Sequence, residues 1–155
     1  MDDDCFVVEG KMALPYQYFA GAVGSRFIVA LRDEKKIFGV RCERCQRVLV
    51  PPRAFCDRCF GPLPEEWVEV GPEGVVTNFT VVRYREPYQP MEPPYVLALI
   101  QLDGADSSLA HLVNAPPESV SVGMRVRAVF AGEVRNNILQ VAHFVPLEEK
   151  SPAGG

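Results

Sequence analysis

Four of the five cysteines fall within one stretch, RCERCQRVLVPPRAFCDRCFG at residues 41–61. They form two pairs, Cys42-x-x-Cys45 and Cys56-x-x-Cys59, with ten residues between the pairs. A Cys-x-x-Cys turn brings both sulfurs to one side, where backbone N–H groups also reach them. Two such turns at the ends of a hairpin supply four thiolates to a tetrahedral ion. The spacer is shorter than the commonest zinc-site spacing but long enough for a short β-return. Zn2+ is the expected ion, with iron in the same sulfur cage as the competitor, because geometry alone does not separate them. Once four sulfurs fill the ion's positions, none stays open for a water or a substrate, so the expected role is structural. The segment has little apolar content of its own, so the ion's binding free energy serves as folding free energy. A redox role for the pairs lacks the βαβ surroundings it would need. Cys5, far from the cluster, is expected to be a free thiol without a role.

The other polar groups carry less chemistry. His111 and His143 lie inside apparent strands with no acid or nucleophile in a motif beside them, which points to packing rather than acid–base work. GAVGSR at 21–26 neither follows a strand nor fits a phosphate-loop signature. No nucleophile elbow or recognisable pair of carboxylates is present, so no catalytic residue is assigned. Arginine is more informative, at 41, 44, 47, 53 and 58. Residues 35–59 hold seven basic and two acidic side chains, a balance of +5 in a chain of net charge −4. Two readings stand side by side: a solvated surface that offsets an anionic metal site, or a patch for phosphates.

These groups need elements to position them. The chain has 155 residues, 48% hydrophobic and 23% charged, which suits one domain or two small ones. No apolar run approaches the ~20 residues of a membrane span. The acidic start MDDDCFVVEG is unlike a signal peptide, so a cytoplasmic location and reduced thiols are expected. Residues 1–14 read as a loosely ordered N-terminus and 147–155 as a disordered tail. Residues 15–36 read as a helical docking segment, with Phe19, Val23, Phe27, Ala30 and Leu31 at helical spacing and a break near Gly24. Its apolar stripe fits either core packing or a partner-docking face. Residues 37–66 read as the zinc ribbon, with strands in KIFGVR and RVLVPPR. Residues 67–146 alternate strands and turns, with strands at 74–84, 95–102, 107–114, 124–131 and 138–145 and a proline-rich loop at 85–94. Five short strands suggest a mainly β chain closed by an OB-type β-barrel, with a sandwich as the other solution. The barrel region is acidic and lacks clustered basic and aromatic positions, which argues against nucleic acid. Arg125 and Arg127, on one strand face, are the exception.

The order of elements resembles the acyl-CoA-associated family that joins a rubredoxin-like zinc ribbon to an OB-fold. The likeness runs over about residues 15–146 and is most specific in PPR between the knuckles, in Glu66–Trp67, and in VGMRV at 122–126. The resemblance implies a small non-catalytic accessory subunit of a thiolase-type acyl-CoA acyltransferase complex, like the small subunit of benzoylsuccinyl-CoA thiolase. It implies a thiolase or thiolase-like partner in a heterotetramer, aromatic or bulky acyl-CoAs as substrates of the complex, and help in seating coenzyme A. Cys42, Cys45, Cys56 and Cys59 carry over as metal ligands, while Arg47 and Arg53 are candidates for a phosphate or partner contact. The knuckles depart from the family pattern, since CERCQ lacks the glycine that often follows this turn. The rival reading is a single-stranded nucleic-acid-binding protein with the same two modules.

Overall fold

The structure, a computed structural model, describes residues 10, 16–87, 89 and 91–147. The expectations for 1–14 and 147–155 lie outside the described residues, apart from Gly10 and Leu147. Helix α1 spans Gly21–Asp33 without a break at Gly24. A Cβ at Gly24 would meet nothing closer than the Ala20 Cβ at 3.4 Å, so this glycine is accommodated as an ordinary helical residue. The helix begins later than the aromatic spacing implied. Tyr16, Tyr18 and Phe19 precede it and are exposed, while Phe27, Ala30 and Leu31 are buried. Within the helix the apolar stripe is therefore core. Glu34 closes the last turn by donating its N–H to the Ala30 carbonyl, and Lys35, at φ 54°, turns the chain away.

Three strands make the ribbon sheet: β1 (Ile37–Cys42), β2 (Arg47–Leu49) and β3 (Trp67–Val70), in the order β2-β1-β3, all antiparallel. The hairpin β1–β2 is the one the sequence indicated. Strand β3 was not distinguished from the β-rich run that follows it, yet it pairs with β1, Val40 lying opposite Trp67. Helix α1 reaches the same sheet through Arg26. Its guanidinium lies 4.1 Å from the Trp67 ring centroid and donates to the Glu65 carbonyl at 2.6 Å.

Five further strands close a barrel: β4 (Glu73–Val82), β5 (Tyr95–Leu102), β6 (Ser108–Val113), β7 (Arg125–Phe130) and β8 (Val141–Pro146). Their order is β4-β5-β6-β8-β7, with β7 returning to β4 and β6–β8 as the one parallel contact. This is the five-stranded Greek-key closure of an OB-fold, and it excludes the sandwich. The long strand β4 serves both sides. Its first residues pair with β7, and from Gly74 to Val82 it pairs with β5 across a register shift between Val76 and Asn78. Gly74 sits at this seam; a Cβ there would fall 2.5 Å from the Gln101 carbonyl oxygen, so only glycine allows the backbones to approach so closely. The last strand starts at Val141 rather than at 138, because Ile138–Gln140 form a 3-10 turn capped by Asn137, whose Oδ1 accepts the Leu139 N–H at 2.9 Å. Gln140 is fully buried and staples this loop: its Oε1 accepts from the Arg135 N–H at 2.7 Å and its Nε2 donates to the Ala131 carbonyl at 3.2 Å.

One apolar cluster runs through all three parts. Phe27 and Leu31 of the helix, Ile37, Val48 and Val50 of the ribbon, and Val76, Ile100, Val126 and Phe144 of the barrel belong to it. Polar bonds lock the same joint. The outer edge of β2 is taken by the turn after β5: Asp106 Oδ2 accepts the Val48 N–H at 2.8 Å, and the Asp106 N–H donates to the Val48 carbonyl at 2.8 Å. Ser107 Oγ accepts the Val50 N–H at 2.7 Å and donates to the Val50 carbonyl at 3.1 Å. Val48 and Val50 are buried, so losing a side-chain acceptor leaves a buried N–H without a partner. Asp106→Ala is therefore expected to lower unfolding free energy by about 2 kcal/mol in urea titrations, with Asp106→Asn recovering most of the loss. An Asp106→Ala midpoint equal to wild type would mean that this joint carries no energy.

Candidate metal centre

Two similar turns present the cysteines. In the first, Cys42 ends β1, the Gln46 N–H donates to the Cys42 carbonyl at 2.7 Å, and the Cys45 N–H points at Cys42 Sγ at 3.4 Å. In the second, the Phe60 N–H donates to the Cys56 carbonyl at 3.1 Å and the Arg58 N–H points at Cys56 Sγ at 3.5 Å. A narrow loop closes the second turn, with Phe55 bridged to Pro62 and the Cys56 N–H donating to the Gly61 carbonyl at 3.0 Å. Each turn ends on a residue with left-handed backbone, Gln46 at φ 55° and Phe60 at φ 56°. Neither is glycine, and Gly61 does not occupy the left-handed position. Such a conformation costs a residue with a side chain about 1–2 kcal/mol. Gln46 offsets part of that cost, because its Nε2 donates to the Glu43 carbonyl.

The four sulfurs lie within 4.8 Å of one another, with Cys42 to Cys59 at 3.6 Å and Cys45 to Cys56 at 3.9 Å. Four sulfurs about 2.3 Å from a central zinc would stand about 3.8 Å apart, so the cage fits that ion. Cys42 and Cys56 are buried and Cys45 and Cys59 half-buried. Backbone N–H groups of Cys59 and Arg58 pull the Cys56 thiol down to about 6, whereas burial and the neighbouring thiols push Cys45 up to about 12. Without a cation the cage would thus hold a mixture of thiol and thiolate; a bound ion removes the remaining protons. Val40, Leu49 and the half-buried Leu63 and Trp67 complete a small cluster behind the sulfurs.

The arginines divide into two groups. Arg47 Nη1 lies 3.4 Å from Asp57 Oδ1 and Arg53 Nη1 lies 3.3 Å from Asp57 Oδ2, so this carboxylate, unnoticed in the sequence, sits between the two candidates for a phosphate or partner contact. Arg125 and Arg127 are neutralised as well. Arg125 pairs with Asp103 at 2.6 Å and with Glu73 at 3.1 Å, and Arg127 also pairs with Glu73. Arg127 and then Arg125 hold the Glu73 carboxyl below its ordinary value, and Arg125 does the same for Asp103. Arg41, Arg44 and Arg58, flanking the knuckles, are exposed and hold no ion pair or side-chain hydrogen bond among the described residues.

Among the described residues the barrel histidines stand in no catalytic grouping. His111 is buried, accepts the Leu112 N–H on Nδ1 at 2.9 Å, faces the Ile138 carbonyl with Nε2 at 3.4 Å, and packs edge-on against Phe144 at 5.6 Å. Burial lowers its pKa, so it is a neutral packing residue. The outward positions of β5 and β6, where an OB-fold binds oligonucleotides, are Leu97, Leu99, Gln101, Ser108 and Ala110. They offer neither a cation nor a stacking ring. Among the described residues no helix is long and apolar enough to cross a membrane.

A four-cysteine ribbon joined to an OB barrel defines the class. Residues 30–65 match the family model described as the ChsH2 rubredoxin-like zinc ribbon domain, and residues 67–131 match the ChsH2 C-terminal OB-fold domain. A DUF35 domain-containing scaffold protein of Methanocaldococcus jannaschii is 31% identical over 100 residues, covering 64% of this chain and 71% of that protein. The chain belongs to the DUF35 family of zinc-ribbon scaffold proteins. A Thermomonospora curvata protein named "Probable enoyl-CoA hydratase alpha subunit" is 29% identical over 93 residues, which cover 60% of this chain and 28% of that one. In fold, the chain is similar to a solved structure named Ltp2-ChsH2(DUF35) aldolase, with a TM-score of 0.56, 22% identity, and coverage of 79% and 90% of the two chains. The ribbon match and the sulfur cage together support a structural zinc. Cys56→Ser is expected to abolish stoichiometric zinc, measured by metal analysis, and to broaden the amide spectrum of residues 37–66. Full zinc content with an unchanged spectrum would remove Cys56 from the ligand set.

Proposed function

We propose that this chain is a non-catalytic scaffold subunit of a thiolase-type acyl-CoA enzyme complex, in which Cys42, Cys45, Cys56 and Cys59 hold the zinc. The single observation that carries the reading is the sulfur cage, whose four donors leave a tetrahedral ion no open position, with no nucleophile–base pair beside it among the described residues. Chemistry on a thioester then has to come from another polypeptide. The scaffold name of the archaeal relative and the enzyme-subunit name of the Thermomonospora curvata protein support this reading. The partner contributes the acid–base and nucleophilic groups; this chain contributes a rigid ribbon, the exposed aromatic segment before α1, and the barrel. With a twofold partner dimer, two copies of each chain form a cytoplasmic heterotetramer. Coenzyme A sits at the shared surface, with Arg47 and Arg53 beside it, and aromatic or bulky acyl groups are the substrate class.

The nucleic-acid reading has less to rest on, because the β5–β6 face lacks cations and rings and Arg125 and Arg127 are already paired. Two measurements test the proposal. Affinity purification of the tagged full-length chain from its native host, followed by mass spectrometry and light scattering, is expected to return one acyl-CoA enzyme subunit in equal stoichiometry. The isolated chain is expected to turn over no thioester. Arg47→Ala with Arg53→Ala is expected to weaken partner or coenzyme A binding by about threefold to tenfold at unchanged zinc content. Unchanged affinity for both would return these arginines to the solvated surface.

A further inference from the structure

Phe60 stands out among the residues of the metal ribbon. It occupies a left-handed backbone position, at φ 56°, which glycine adopts without strain, and its side chain is 81% exposed. A bulky residue there is an outlier that the fold of this chain does not reward, since the ring contributes little to its core. The equivalent residue of the first knuckle, Gln46, has a side-chain hydrogen bond to Glu43 that Phe60 lacks. A second ring, Phe55, is 62% exposed on the other side of the same knuckle. The two knuckles also carry Arg41, Arg44 and Arg58, with the Arg44 side chain 3.6 Å from where a Cβ would stand on Gly61. Among the described residues none of the three holds an ion pair, which of the other arginines is true only of Arg26 and Arg83. Aromatic rings with arginine are the side chains over-represented where protein surfaces bind most tightly.

We infer that Phe60, with Phe55 and the free Arg41, Arg44 and Arg58, forms the docking tip by which this chain engages the enzyme subunit, on an acidic surface with an apolar recess for the Phe60 ring. The inference rests on the scaffold reading above and names its contact. Charge selects the occupant. The segment 35–59 carries +5 before the anionic sulfur cage is counted, within a chain of −4, so two copies meeting tip to tip would repel. Three free cations fall short of the six to ten phosphate contacts (roughly) of a typical nucleic-acid footprint. A protein surface bearing carboxylates needs only a few ion pairs, which steer the approach, plus one buried ring, which holds the complex. A fold that tolerates strain at Phe60 in the free chain recovers the ring's apolar burial on docking.

The test uses the full-length chain in its host. With Phe60 replaced by the photo-crosslinking analogue p-benzoylphenylalanine, irradiation is expected to join this chain to the acyl-CoA enzyme subunit that co-purifies with wild type, whereas the same analogue at exposed Val122 joins nothing. Phe60→Gly is expected to keep its zinc, to melt at or above the wild-type temperature, and to bind the purified subunit about tenfold or more weakly. Arg44→Glu with Arg58→Glu is expected to slow association and flatten its salt dependence. If the subunit co-purifies but position 60 fails to crosslink to it and Phe60→Gly binds as wild type, the tip is not the docking site and the scaffold reading stands. A crosslink from position 60 to a second copy of this chain or to nucleic acid overturns the inference. If no enzyme subunit co-purifies at all, the scaffold reading fails first, and this contact with it.

Discussion

Four sulfurs held within 4.8 Å of each other govern the ribbon. As thiols they pack poorly, and as thiolates they repel; a shared divalent ion resolves both problems at once. Little else is available to hold the segment. Behind the sulfurs stand two fully buried aliphatic side chains, Val40 and Leu49, and a few partly covered neighbours. The knuckle backbone is held alongside the sulfurs by short local bonds, the Gln46 and Phe60 N–H groups donating to the Cys42 and Cys56 carbonyls, with both residues in left-handed conformations. Metal, turn geometry and the small cluster are thus one cooperative unit rather than three independent contributions.

The ribbon is nevertheless not a free module. Its sheet reaches beyond the cysteines for β3, its far edge is closed by Asp106 and Ser107, and Val48 and Val50 enter the same apolar cluster as the barrel strands. Helix α1 adds a third attachment, with Phe27 and Leu31 in that cluster and Arg26 stacked on Trp67. These contacts fix the ribbon against the barrel. The barrel in turn shows a bare, weakly polar outer face at Leu97, Leu99 and Ala110 instead of the charged trough of a nucleic-acid binder.

The sequence made the metal cage and the five barrel strands readable because both depend on local signals: Cys-x-x-Cys spacing in one case, alternation broken by glycine and proline in the other. What escaped was non-local. Nothing in WVEV tells that its partner is β1 rather than a barrel strand, since alternation reports a buried face and not the identity of the neighbour. Asp106 read as a turn residue and Ser107 as the start of a strand, and only the folded chain brings both to the edge of β2. Gln140 looked like a polar position in a strand, but buries its amide to satisfy a loop. The start of α1 was placed early because Phe19 keeps helical spacing with Val23, and periodicity continues past the point where the chain stops being a helix. Asp57 went unweighed as one of two acids among seven bases, yet it sits between two of them.

Strand β4 is shared between two pairings, with β7 joining its first residues only after about fifty intervening positions have been made. During synthesis the growing chain therefore passes through a stage in which Gly74 and Val75 have one flank laddered and the other bare, an open edge of the kind that recruits foreign strands. Ending translation before Arg125 would freeze that stage into a finished product. Shortened forms of this chain are thus poor candidates for soluble expression, and the last two strands act as the latch that makes the molecule safe to release.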